Sequence, residues 1–250
     1  MIELKNLSVS YGKRPVLKEL SVVFARGRVT SVIGQNGCGK STLLRSVVGM
    51  LSPVGGVIEI DGVPADSLSR NERAKKIAYL SQTRSVPDIT VEQLVLHGRY
   101  PHLSYPRRYT RHDMEIAHGA MEQMEISELS GSPLARLSGG VRQKAYIAMA
   151  LAQDTDYILL DEPATYLDIS NQLELMRILR ELADGGKGIV TVTHDLPMAF
   201  RFSDAVAVLH QGRFVACDAP EALCDSSVLK EIFGVSLSRS QSSSQYGYDF

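Results

Sequence analysis

Apolar and polar residues alternate over positions 2–9 and 20–25, the period-two pattern of a strand with one solvated face. Turn residues follow each run, at Tyr11-Gly12 and at Ala25-Arg26-Gly27, so residues 1–33 read as antiparallel sheet. The last run of that stretch, Val29, Thr30, Ser31, Val32 and Ile33, is mostly β-branched and predicts a buried strand. Leu43, Leu44, Val47 and Val48 then fall at helical spacing and predict a helix over 40–50. Strand patterns return over 57–60, ending at Asp61-Gly62, and over 77–81, ending at Gln82. Others cover 157–160, 189–192, 205–209 and 213–217, the last two flanking a Gln211-Gly212 turn. Helical spacing covers 196–202 and 219–234.

Between these β-rich stretches, from about residue 85 to 155, the character is helical. Residues 91–97 and 111–126 predict helices joined by a Tyr-, Pro- and Arg-rich connection at 98–108. Met114, Ile116, Ala117, Ala120, Met121 and Met124 form an apolar stripe, more often core than groove. A long helix begins at Leu137-Ser138-Gly139-Gly140, with Ser138 as N-cap, and runs to Gln153. The pattern predicts an α/β fold over 1–235, with a mostly parallel sheet, an N-terminal antiparallel β-subdomain and an inserted α-helical subdomain. Residues 236–250 are Ser-rich and polar and are expected to be disordered.

Composition narrows the function classes. The 250 residues carry a net charge of −1, which gives no general attraction to nucleic acid or to an acidic membrane. No apolar run approaches the ~18 residues of a membrane span and no signal peptide opens the chain, so a cytoplasmic location is expected. Cys38, Cys217 and Cys224 lack metal-ligand spacing and are expected to be reduced.

The buried strand at 29–33 feeds GQNGCGKST, which fits the phosphate-binding pattern G-x-x-x-x-G-K-[ST]. Gly34, Gly37 and Gly39 permit turns and close approach that a β-carbon would obstruct, while Gln35, Asn36, Cys38 and Thr42 complete the loop. Lys40 supplies a point charge for β/γ-phosphates and the Ser41 hydroxyl a place for Mg²⁺. Cys38, beside the helix N-terminus, is expected to have a lowered pKa and to react with alkylating agents, with nucleotide protecting it. The strand over 157–160 ends in Asp161-Glu162-Pro163. Adjacent carboxylates on a strand point to opposite sides, so Asp161 can hold a Mg²⁺ water while Glu162 polarises the water that attacks a γ-phosphate. Position alone leaves four residues open. Tyr11 is an ordinary turn tyrosine or a ring that stacks on adenine. Gln82 is a surface residue or an amide reaching Mg²⁺ or the attacking water. Ser138 with Gly139 and Gly140 is a plain helix start or a second anion site. His194, at a strand's carboxyl end, is structural or a γ-phosphate ligand.

Taken in order, these stretches resemble the ATP-binding subunit of an ABC transporter, from Tyr11 to about Phe233. The resemblance implies that Tyr11 stacks on adenine, that Gln82 is the Q-loop residue near Mg²⁺ and that LSGGVRQ is the signature. It also implies that Asp161 and Glu162 are the metal-binding and catalytic carboxylates, that Asp168 lies in the D-loop and that His194 is the switch histidine. Val141 stands where Gln or Glu is common and Ala164 where Thr often follows DEP; neither position carries the chemistry. The family architecture implies a head-to-tail dimer of two copies enclosing ATP and Mg²⁺ between the phosphate loop of one and Ser138 to Gly140 of the other. GRYPH at 98–102 and DEPATYLDI at 161–169 look like the branch serving ferric siderophore, haem and cobalamin importers. That branch implies two integral-membrane permease subunits, an extracytoplasmic substrate-binding protein that delivers the cargo, and a peripheral position on the cytoplasmic face of the membrane. The insert would receive the permease's coupling helices. The alternative class is a non-transport ABC ATPase, such as an iron-sulfur cluster assembly scaffold.

Overall fold

A computed structural model describes residues 1–82, 86–165, 167–239 and 246–249. The expected beginning of the insert, at residue 85, lies outside the described residues. In chain order come β1 (Ile2–Tyr11), β2 (Arg14–Phe24), β3 (Val29–Ile33), α1 (Lys40–Val47), β4 (Gly55–Ile60) and β5 (Val63–Pro64). Next are α2 (Arg70–Lys76), β6 (Ile77–Leu80), α3 (Val91–His97), α4 (Arg111–Gln123), α5 (Gly139–Ala152), β7 (Tyr157–Asp161) and α6 (Ile169–Asp184). The chain continues with β8 (Gly188–Val192), α7 (Leu196–Phe202), β9 (Ala205–His210), β10 (Arg213–Asp218), α8 (Pro220–Cys224), α9 (Val228–Phe233), β11 (Ser236–Arg239) and β12 (Tyr246–Asp249).

One sheet has the order β10-β9-β3-β8-β7-β6, parallel except for the β9–β10 hairpin. A second, antiparallel sheet has the order β2-β1-β4-β5. The reading of residues 1–33 as one antiparallel sheet therefore needs correction at β3. All five of its residues are buried, because both faces of the strand are covered, and it lies between the parallel strands β8 and β9. Strands β1 and β2 keep a solvated face and stay in the antiparallel sheet.

Two apolar layers hold these sheets in place. Leu4, Leu20 and Phe24 of the antiparallel sheet pack with Val32, Leu43, Leu44 and Val47, so α1 is clamped against β3 by its apolar face. Each such side chain, fully buried, contributes about 2 kcal/mol. The other layer joins the large sheet to α3, α4 and α5 and takes in Ala117, Ala120, Met121 and Met124 from the apolar stripe, with Ile116 packed against it. Met114 is the exception at 46% exposed. Capping boxes at Thr90/Gln93 and Thr110/Asp113 start α3 and α4. A buried ion pair, Arg99 Nε to Asp113 Oδ1 at 3.0 Å, ties α4 to the turn after α3. Arg99 also donates to the Ala152 carbonyl at the end of α5.

The expectation of a disordered tail is corrected for residues 236–239 and 246–249. Strands β11 and β12 pair as an antiparallel hairpin, while residues 240–245 and 250 lie outside the described residues. Leu237 is buried and Tyr246 packs its ring on Phe200 of α7 at 5.6 Å, edge to face, so each of the two strands has an apolar anchor despite its polar neighbours.

Candidate active site

β3 delivers the chain into residues 34–39 and α1 takes it out, so the backbone N–H groups that open α1 line the loop. Glycine at 34 is a steric need: a β-carbon there would strike the Leu209 carbonyl and the Cys38 sulfur. Gly37 and Gly39 have φ of 78° and 113°, the left-handed region glycine adopts without strain. Lys40 is buried at 6% exposure, and its Nζ donates to the carbonyls of Gly34 at 2.7 Å and Gln35 at 3.1 Å. The side chain is thus tied to the carbonyls of its own loop. Burial pushes the Cys38 thiol above its usual pKa, outweighing the Lys40 charge that pulls the other way. The expectation of a lowered Cys38 pKa is overturned by that desolvation.

A cleft of ≈ 810 Å³ opens over this loop, lined by Tyr11, Asn36, Gly37, Gly39, Lys40, Ser41, Thr42, Gln82, Glu162 and His194. Residues far apart in sequence thus meet in one place: the ends of β1, β6, β7 and β8 converge on the start of α1. Tyr11 is the last residue of β1, about half exposed at the edge of the cleft. Arg14 and Val16 also line the cleft, which sequence reading missed.

Glu162 leaves β7 with φ 51°, a left-handed conformation that turns its side chain into the cleft. Its Oε2 accepts from Gln82 Nε2 at 2.6 Å and from Thr165 Oγ1 at 3.2 Å, and His194 Nδ1 lies 3.7 Å away. Thr165 was missed; its position three residues after an acid in a turn is the only local signal for it. Asp161, on the opposite face of the strand end, is 2% exposed, and its Oδ1 has no hydrogen-bond partner among the described residues. Burial pushes the Asp161 carboxyl up, against the opposing pull of the nearby Ser41 hydroxyl and the Arg45 charge, while Glu162 adds to the rise. A buried, unpartnered carboxylate oxygen beside a serine hydroxyl is an all-oxygen donor set suited to a hard divalent cation, so these residues fit Mg²⁺.

Ser138, Gly139 and Gly140 do not line the cleft over the phosphate loop. Ser138 caps α5, accepting from the Val141 N–H at 3.4 Å. Gly139 borders an adjoining depression that also touches Gln82 and Glu162. Asp168 likewise stays outside the cleft and caps α6 by accepting from the Asn171 N–H at 2.9 Å. A link that sequence reading overlooked is Gln143, buried on α5, whose amide donates to the Pro163 carbonyl and joins α5 to the turn carrying Glu162.

A strand, a glycine-rich loop with a buried lysine, a helix and a paired carboxylate at the next strand's end define a P-loop nucleotide-hydrolysing protein. The ABC transporter family model matches residues 17–165, more than half of the chain, and the chain belongs to that family, whose ATP-binding subunits hydrolyse ATP to power transport. It is 40% identical to the ferric enterobactin transport ATP-binding protein FepC of Escherichia coli, over 92% of this chain and 86% of that protein. It is 36% identical to the iron(3+)-hydroxamate import ATP-binding protein FhuC of Bacillus subtilis, over 94% of this chain and 88% of that one. A solved ABC transporter in an inward-facing conformation superposes with a TM-score of 0.85 at 27% identity, covering 100% of this chain and 97% of the other. Subunits of this kind work with membrane permeases, and among the described residues no helix is long and apolar enough to cross a membrane.

Proposed function

We propose that this chain is the ATPase subunit of an importer for iron chelates of the siderophore type, with haem or cobalamin as the neighbouring cargo classes. The observation that carries this reading is likeness along nearly the whole chain to relatives named for petrobactin, enterobactin and hydroxamate import. In the cycle, Tyr11 stacks on adenine and the N–H groups of residues 35–42 receive the phosphates. Lys40 Nζ exchanges the Gly34 and Gln35 carbonyls for β/γ-phosphate oxygens. Ser41, Asp161 and Gln82 would hold Mg²⁺, which neutralises phosphate charge when bound. Glu162 orients and polarises the attacking water, and His194 hydrogen-bonds the γ-phosphate.

Two copies act head to tail, Ser138 to Gly140 of one completing the pocket of the other, with Asp168 at the shared seam. Support comes from Gly139, where a β-carbon would meet nothing of this chain, so packing within one copy does not require glycine there. The dimer sits peripherally on the cytoplasmic face of the membrane, on two permease subunits, and an extracytoplasmic binding protein supplies the cargo. Reconstitution with the permease that co-purifies with this chain tests the reading. ATP hydrolysis should rise when binding protein loaded with a ferric siderophore is added; stimulation by no iron chelate, haem or cobalamin would overturn it.

A further inference from the structure

We propose that the β11–β12 hairpin is a positioning element for His194, acting through α7, with Tyr246 as its contact residue; this rests on the role given to His194 above. His194 is joined to α7 through Asp195, whose carboxylate caps the helix by accepting from the Met198 N–H at 3.0 Å. A shift of α7 therefore moves the histidine with it. On one side of that helix, Met198 lines a cavity of ≈ 150 Å³ shared with Met176, Glu162, Thr165 and His194. Met198 and Phe202 pack against the core layer that contains Met176, but protein interiors are otherwise close-packed, so the cavity leaves α7 unfilled space to move into on that side.

The opposite side is filled by the hairpin. Positions 198 and 200 are about 200° apart around a helix, so Phe200 faces away from the cavity. Phe200 is 1% exposed and receives the Tyr246 ring edge to face. Leu237 shares a cluster with Leu196, Ala199 and Phe200, and the Tyr246 hydroxyl donates to Glu221 of α8 at 3.3 Å. The same cluster contains Ile33, the residue before Gly34. The neighbouring helix α9 accepts from Gln35 Nε2 through the Ile232 carbonyl at 2.7 Å. The segment after β10 thus fixes two parts of one site at once, the entry to the phosphate loop and the helix behind the histidine. Without the ring on Phe200, α7 can settle toward the cavity and carry His194 off the γ-phosphate.

Steady-state ATP hydrolysis by the full chain tests this. Tyr246→Ala should lower kcat about tenfold, the scale expected when a reacting group is displaced by a fraction of an ångström, with KM for ATP changed less than about twofold. Tyr246→Phe keeps the ring on Phe200 and should hydrolyse at the wild-type rate. If thermal melting shows Tyr246→Ala unfolded, Tyr246→Leu, which keeps bulk but loses the edge contact, is measured instead and should show a several-fold fall in kcat. A folded variant without the ring that keeps wild-type kcat, or that changes KM alone, overturns the proposal. His194→Ala separates the two levels. If it is inactive while the ring-less variant is unimpaired, only the positioning role fails; if it hydrolyses normally, the role of His194 itself fails.

Discussion

Two helices in this chain begin with glycine-bearing turns suited to anions, and they differ in what surrounds them. The start of α1 is enclosed: Lys40 is buried against two carbonyls, and Gly34 is pressed between the Leu209 carbonyl and the Cys38 sulfur. The start of α5 is more open: the Ser138 side chain makes a long cap bond, and a β-carbon at Gly139 would meet nothing of this chain. On the head-to-tail reading proposed above, the contrast separates a half-site built within one copy from a half-site left for the other copy's ligand. Equal sequence signals, glycine before a helix, therefore carry different physical requirements.

The sharpest test of the enclosed half is Glu162→Gln, which keeps the Gln82 and Thr165 neighbours but removes the negative charge. ATP hydrolysis should fall about 10³-fold while nucleotide binding persists and the ATP-bound chain accumulates as a dimer by light scattering. Next is Lys40→Ala, which should weaken ATP binding by about 100-fold at concentrations where the chain is monomeric, a loss of about 3 kcal/mol in charge-assisted hydrogen bonds. A deficit seen only in the dimer would erase the distinction between the two helix starts.

The support of α5 offers a pH test. Burial alone would raise the Asp113 pKa, but bonds from Thr110 and the Arg99 guanidinium hold it at about 2, below the usual value of 3.8. The folded pKa is depressed, so the stabilisation is present above about pH 4 and is lost as pH falls toward 2, an amount of about 2 kcal/mol. Acid titration by circular dichroism should show wild type losing this increment while Asp113→Asn, already less stable at neutral pH, lacks it. The smallest effect belongs to Gly139→Ala. In the isolated chain it should be neutral or stabilising by up to about 1 kcal/mol in thermal melts, because alanine favours a helix. ATP-dependent dimerisation should nevertheless weaken; unchanged pairing and hydrolysis would show that the bare turn has no partner.

Much of this site was legible in the sequence because it lies where strands end and helices begin, and both periods are visible at those junctions. Apolar runs marked β3, β7 and β8, and the loop glycines and the Asp161-Glu162 pair stood directly after them. The 16-residue helix α6 was not predicted, although Leu175, Met176, Leu179 and Leu182 give it an apolar face and Asp168 caps its start. Helix α2 buries no residue, so periodicity had no signal to report. The Cys38 thiol was misjudged because a helix N-terminus is visible in sequence and desolvation is not. The hairpin was missed because Leu237 and Tyr246 are isolated anchors in a polar stretch, and only tertiary contact gives them meaning.

One carboxylate oxygen, Oε2 of Glu162, is the meeting point of Gln82, Thr165 and His194. In the role proposed for Glu162, an incoming water would therefore compete with the Gln82 amide and the Thr165 hydroxyl for that oxygen. A ligand that drew the Gln82 amide elsewhere would leave that oxygen with one fewer donor.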